Sequence, residues 1–105
     1  MDHVQVEFTI DDRSAADAIH DSLLADGTVA CGQIVGPMTS RYWWDGVLEE
    51  AEEWMVFLKT RSELSAGVID AIVARHPYDT PEVVVLPIVD GARGYLEWID
   101  EVTTG

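Results

Sequence analysis

Lysine is nearly missing from this sequence. Lys59 stands alone among six basic residues, which face twenty aspartates and glutamates for a formal net charge of -14. A surface this acidic repels phosphate backbones and anionic headgroups, so neither nucleic acid nor a membrane surface is an expected partner. Cations are its natural counter-species, although diffuse acidity that keeps a protein dissolved accounts for the charge without any ligand. Cysteine is as scarce: Cys31 alone cannot close an internal disulfide, so nothing asks for an oxidising compartment. No run approaches the roughly 18 apolar residues of a membrane span, and the opening MDHVQVEF lacks the basic and apolar blocks of a secretory leader. The expected address is the cytoplasm. Repeats and low-complexity segments are absent too. With 48% hydrophobic residues, the 105-residue chain is expected to form one domain, 1–105, around its own core.

What is present is periodicity. In VQVEFTI, Val4, Val6, Phe8 and Ile10 alternate with polar residues, the pattern of a half-buried strand. SAADAIHDSLLADG then predicts a helix with Ser14 as N-cap, Ala16, Ile19 and Leu23 on one stripe, and Gly27 at its stop. His20 falls off that stripe, where solvent is its expected surrounding.

Asp45-Gly46, between two strand-like runs, predicts a two-residue hairpin turn, because both turn positions need positive φ. Setting Trp44 opposite Val47 brings Arg41 across from Glu50, a favourable pair, and Val35 across from Val56. Gly36-Pro37 is expected to bend or bulge the first arm, so the register beyond it can slip. At about 3.3 Å per residue, 28 to 44 would stretch to roughly 55 Å if straight. A globule of this length has a radius of gyration near 13 Å and a diameter of about 33 Å, so the hairpin tip should overhang. Tyr42, Trp43 and Trp44 sit at that tip, with Trp54 on the return arm, while acidic residues at 49, 50, 52 and 53 are expected to stay wet. Aromatics on a projecting ribbon need a covering surface. Sister subunits are the expected cover, because the flanking charge has the wrong sign for stacking nucleic-acid bases; the plainer alternative is that the tryptophans fold back over the parent sheet.

Thr60, Ser62 or Glu63 can cap a second helix in which Leu64, Val68 and Ile72 recur, ending at Arg75-His76 because Pro77 disfavours helix before it. PEVVVLPIV follows as a nearly continuous apolar strand, which predicts burial on both faces, with Pro87 marking an edge or bulge. GARGYLEWIDEV closes the chain as a helix with Tyr95, Leu96, Ile99 and Val102 on one side. The order β-α-β-β-α-β-α is the α+β split βαβ arrangement, a sheet with helices on one face.

VACGQIVGPMTSRYWWDG, MVFLKTR, RHPYDTPEVVVLPI and GYLEWI together make the chain similar to the CutA family of divalent-cation tolerance proteins. The resemblance implies a ferredoxin-like βαββαβ protomer plus C-terminal helix, joined by long β2-β3 hairpins into a homotrimer. It also implies cytoplasmic copper and divalent-metal tolerance, and no established enzymatic reaction. The chain departs from the family pattern: Phe8 occupies the place of a thiol, Arg75 that of the first of two histidines, Gln33 that of an asparagine, and Asp79 that of a glutamate or glutamine.

Copper favours imidazole, thiolate and thioether donors, which singles out His76 and Cys31, with Met38 and Met55 behind them. Each has a plainer role: Cys31 as a small core residue, His76 as a helix-end group, the methionines as packing. Tyr42, Trp43, Lys59, His76, Tyr78 and Glu82 are candidates for an intersubunit cleft, in which Tyr42 and Trp43 come from a neighbouring chain. In such a cleft His76, Tyr78 and Glu82 offer acid-base chemistry and Lys59 or Arg61 an anion partner, though no activated nucleophile or phosphate loop accompanies them. A sensor trimer like the PII signalling proteins is the remaining alternative, with one lysine against phosphate ligands.

Overall fold

Alternating apolar residues make His3–Ile10 the strand β1, around which the computed structural model, describing residues 2–104, is built. Met1 and Gly105, the ends of the expected domain, lie outside the described residues. The remaining elements are α1 (Arg13–Ala25), β2 (Cys31–Trp44), β3 (Val47–Arg61), a 3-10 turn at Ser62–Leu64, α2 (Ser65–Arg75), β4 (Val83–Pro87) and α3 (Arg93–Val102). Four strands form one antiparallel sheet in the order β2-β3-β1-β4, the ferredoxin-like arrangement expected. None of the described helices is long and apolar enough to cross a membrane.

Val4, Val6, Phe8 and Ile10 of β1 and Val56 and Leu58 of β3 point to one face, where Ala16, Ile19 and Leu23 of α1 and Val68 and Ile72 of α2 meet them. Each large side chain fully enclosed there contributes roughly 1.5–3 kcal/mol through removal from water. Helix α1 is capped by Asp12, whose carboxylate accepts from the amides of Ser14 and Ala15; the cap therefore falls two residues before the expected Ser14. His20 is not solvated as expected: its Nε2 is buried, facing Gly32 of β2, with no hydrogen-bond partner among the described residues. Thr60 is no helix cap either. It is fully buried at the end of β3 and donates to the Thr28 carbonyl at 2.6 Å, while α2 begins from the 3-10 turn without a side-chain cap.

The helices are not all on one face. His3, Arg61 and Cys31 alternate away from the core residues of their strands, and α3 meets all three. Asp100 pairs with His3 at 2.8 Å, Arg61 donates to Thr103, and the Cys31 sulfur lies 3.3 Å from the Tyr95 hydroxyl. One end of the second face is thus roofed by the chain itself, with Ile99 fully buried and Tyr95 and Val102 left exposed. Strand β4 pairs only with β1, so it is an edge strand, as Pro87 predicted. The expected burial on both its faces fails at Val84 and Leu86, which are exposed because none of the described residues covers them.

Hairpin register follows the sequence near the turn, with Trp44 opposite Val47, Arg41 opposite Glu50 and their side chains 2.9 Å apart. Asp45 and Gly46 both adopt positive φ. Between Val35 and Met38 the ladder shifts by a bulge, so that Val35 pairs with Met55 and Ile34 with Val56, one residue from the expected match. The molecule measures 45 × 26 × 22 Å, its length set by a ribbon that begins at Cys31 and bends at the bulge.

Two glycines should respond oppositely to alanine. A Cβ at Gly32 would lie 2.8 Å from the Phe57 carbonyl oxygen and 2.6 Å from His20 Nε2, whereas one at Gly67 in α2 meets nothing within 4 Å. Gly32→Ala is expected to cost about 1–3 kcal/mol and Gly67→Ala to add about 0.5–1 kcal/mol, both read by denaturant unfolding.

Candidate functional site

Helix α2 stops at Arg75 because His76 turns to extended backbone ahead of Pro77. That turn drives the His76 ring into the protein. Its Nε2 donates to the Thr9 carbonyl at 2.7 Å, which leaves Nδ1 to accept from the Tyr78 amide at 3.2 Å. The ring meets Phe8 and Tyr78 edge-on, at centroid distances of 5.9 and 4.5 Å. Tyr78 is thereby aimed at β3, where its hydroxyl donates to Glu53 Oε2 at 2.7 Å.

Glu53 was expected in water with its acidic neighbours, yet it is only 5% exposed. Strand alternation turns it to the face opposite Glu50 and Glu52, and there the phenol of Tyr78 covers it. Burial first, and the adjoining carboxylate second, push the Tyr78 phenol far above the ordinary tyrosine range. At the other end of the sheet, burial and then the bond to the Cys31 thiol push Tyr95 up to about 12.

Beside the Glu53 and Tyr78 pair opens a cavity of about 660 Å³. Tyr42, Trp43 and Trp44 of the hairpin form one wall; Tyr78, Asp79 and Glu82 of the 77–82 loop form the other, with Asp11 and Glu53 between them. Four of the six expected cleft residues, Tyr42, Trp43, Tyr78 and Glu82, therefore come together. They do so within one chain, whose hairpin lies beyond its bulge over its own loop. Lys59 is absent from the lining because it pairs with Cys31 and Gln5, near the far end of the sheet. His76 stands behind the cavity wall, buried, with both ring nitrogens engaged. Glu53 and Asp11 are the site residues that sequence reasoning missed; Val56 and Leu58 give the core-facing phase of β3 to Glu52, so alternation did not mark Glu53, which is buried by the Tyr78 phenol rather than by the core.

The expected soft donors do not meet. Cys31 is level with Gln5 of β1 through Lys59, whereas His76 bonds Thr9, four residues further along that strand, about 13 Å at strand spacing. Among the described residues no three His, Cys, Asp or Glu side chains are grouped to hold a metal ion. The donors among the described residues of one chain therefore do not fit a resident metal. Of the expected covering aromatics, Trp43 is 73% exposed, Trp44 and Tyr42 less so, and Trp54 is half-buried against Gly36.

Residues 4–102 match the family model of the CutA1 divalent ion tolerance protein. The chain belongs to the CutA1 family. It is 36% identical over 97 residues to the divalent-cation tolerance protein CutA of Salmonella newport, covering 92% of this chain and 84% of that one. It is 34% identical over 100 residues to the chloroplastic protein CutA 1 of rice, covering 95% of this chain but only 56% of the rice protein's length. Among solved structures, the divalent cation tolerance protein of Thermus thermophilus superposes with a TM-score of 0.93 at 34% identity, over 97% of this chain and 99% of that one. The CutA described as periplasmic from Archaeoglobus fulgidus gives 0.92 at 38% identity, over 95% and 97%.

Two raised phenols set an alkaline signature. Both stay neutral in the fold above the usual tyrosine value of about 10, so their stabilisation is intact below that pH and is lost as pH rises toward the Tyr95 value of about 12. Denaturant unfolding across this range should show falling stability. Tyr78→Phe should flatten the fall, and at neutral pH cost about 1–3 kcal/mol by leaving the Glu53 carboxylate buried without its donor.

Proposed function

We propose that the chain serves divalent-cation tolerance as a homotrimer, holding copper or another divalent cation where subunits meet and catalysing no reaction. The match to the CutA1 family over residues 4–102 carries this reading. A site between subunits, rather than inside one, is favoured because no three donors gather within a chain among the described residues. Of the two expected ligands, Cys31 is the better placed: the residue is half-buried and its sulfur is held by one weak bond, whereas His76 would have to break two. A cytoplasmic address belongs to the same proposal and rests on the single free thiol.

Support for assembly comes from two apolar surfaces that the chain leaves open. The ribbon presents Trp43, Val47 and Leu48, each more than half exposed, and the edge strand β4 presents Val84 and Leu86. A two-stranded ribbon is marginal alone, and an unpaired apolar edge invites another chain. Ribbon on one copy against edge on the next is a heterologous contact, which repeats around a ring until it closes. A second reading, a sensor of small molecules related to the PII signalling trimers, is favoured by the cavity beside Glu53.

Sedimentation of the whole chain at low micromolar concentration should give a trimer, and Trp43→Glu with Leu48→Glu should give monomers. Calorimetry with copper(II), and with copper(I) under reducing conditions, should show saturable binding to the trimer that the monomeric variant loses and Cys31→Ser weakens. A stable wild-type monomer, or copper affinity unchanged in the monomeric variant, overturns the proposal.

A further inference from the structure

The cavity has a chemistry that the tolerance reading does not use. Its volume of about 660 Å³ lies within the range of small-molecule sites, roughly 300–1,000 Å³. Four carboxylates line it, those of Asp11, Glu53, Asp79 and Glu82, against one guanidinium, and that one, Arg41, is already paired with Glu50. The carboxylates are nevertheless not grouped as metal ligands, since no cluster of three donors exists among the described residues. They are spread around a space bounded by the rings of Tyr42, Trp43, Trp44 and Tyr78, whose faces attract cations.

Glu53 adds an independent observation. It is nine-tenths buried and lines the cavity; Oε2 accepts the Tyr78 hydroxyl, while Oε1 accepts no bond among the described residues and is not sealed off, so the cavity is its outlet. A carboxylate oxygen that opens on a cavity and has no protein donor is free to accept a ligand N–H in a charge-assisted bond. A bare metal ion offers no N–H, and a quaternary ammonium offers none either. We infer that this cavity binds a small primary ammonium carried on an apolar or aromatic body, its N–H groups toward Glu53 Oε1 and its body between the hairpin aromatics and the 77–82 loop. Every wall comes from one chain, but Trp43 also belongs to the proposed subunit contact, so the two readings are separated by sedimentation of the same samples.

The test uses phenethylammonium chloride as probe and 2-phenylethanol, nearly the same shape without the charge, as control. Calorimetry and tryptophan fluorescence of the whole chain should show saturable binding of the amine and at least tenfold weaker binding of the alcohol. Glu53→Gln should weaken the amine at least tenfold while leaving the alcohol within twofold, and Trp43→Ala should weaken both and remove most of the fluorescence response. Where Glu53→Gln does not fold, Asp79→Asn with Glu82→Gln replaces it and should weaken the amine at least threefold. Equal affinity for amine and alcohol, no saturation by the amine, or a carboxamide variant that binds as the wild type does overturns the inference. So does displacement of the amine by stoichiometric copper(II), which would assign the cavity to metal. Sedimentation of the same samples reports separately on the trimer.

Discussion

Strands β2 and β3 pair for longer than the rest of the sheet can accompany them. The third strand, β1, ends at Ile10 opposite Trp54, yet β2 and β3 go on pairing from Met38 with Glu53 to Trp44 with Val47. Those seven pairs form a two-stranded ribbon about 23 Å long by strand spacing, with no third strand to hold it. Its position must be fixed by something else. On the near side that is the 77–82 loop of the same chain, tied down by Tyr78 on Glu53, the first pair beyond the bulge. On the far side Trp43, Val47 and Leu48 are left to water. The same excess of ribbon thus creates both the cavity and the open apolar surface.

The strut that carries this arrangement is a chain of polar contacts rather than packing. From the Thr9 carbonyl through both nitrogens of His76 to the Tyr78 amide, and from the Tyr78 hydroxyl to Glu53, each donor finds an acceptor. It links β1, the segment after α2, and β3. Buried networks of this kind specify one arrangement because a half-made version leaves polar groups stranded. Pro77 starts it by ending the helix, so the histidine and tyrosine in HPYDTP serve geometry first. His76 is fully spent on that task, which is why it does not enter the cavity beside the residues it positions.

Most of the fold was legible because it is written in period and punctuation. Alternation in VQVEFTI set the core face of β1, Asp45-Gly46 set the turn, and the proline positions set the end of α2 and the edge at Pro87. What escaped the sequence was decided by contacts between distant segments. Asp12 wins the α1 cap because its carboxylate reaches two amides, a matter of loop shape rather than of motif. The placement of α3 on the second face depends on Arg61, Cys31 and His3 meeting it across 42 to 97 positions of chain. At the site, Tyr42, Trp43, Tyr78 and Glu82 were found as a group, but Glu53 was hidden in an acidic run, because a phenol from a distant segment and not the core face of β3 is what buries it.

The chain's negative charge by itself selects for no particular cation; the kind of donor at each place does. Around the cavity the polar atoms are mostly oxygens of carboxylates and hydroxyls, with aromatic faces between them. Such a lining is hard in the sense of metal chemistry and lacks the sulfur and free imidazole that copper favours. The soft donor, Cys31, sits near the opposite end of the sheet with Tyr95. One acidic envelope therefore encloses two environments of opposite preference, an oxygen and aromatic one under the hairpin and a thiol one under α3. Charge gathers cations of every kind to the surface and cannot sort them. Sorting falls to geometry: carboxylates too dispersed for one ion but spaced around an organic one, and a single thiol that needs donors from elsewhere before it can hold a metal. On the two proposals made above, two classes of cation would be held by one small acidic protein without competing for the same atoms.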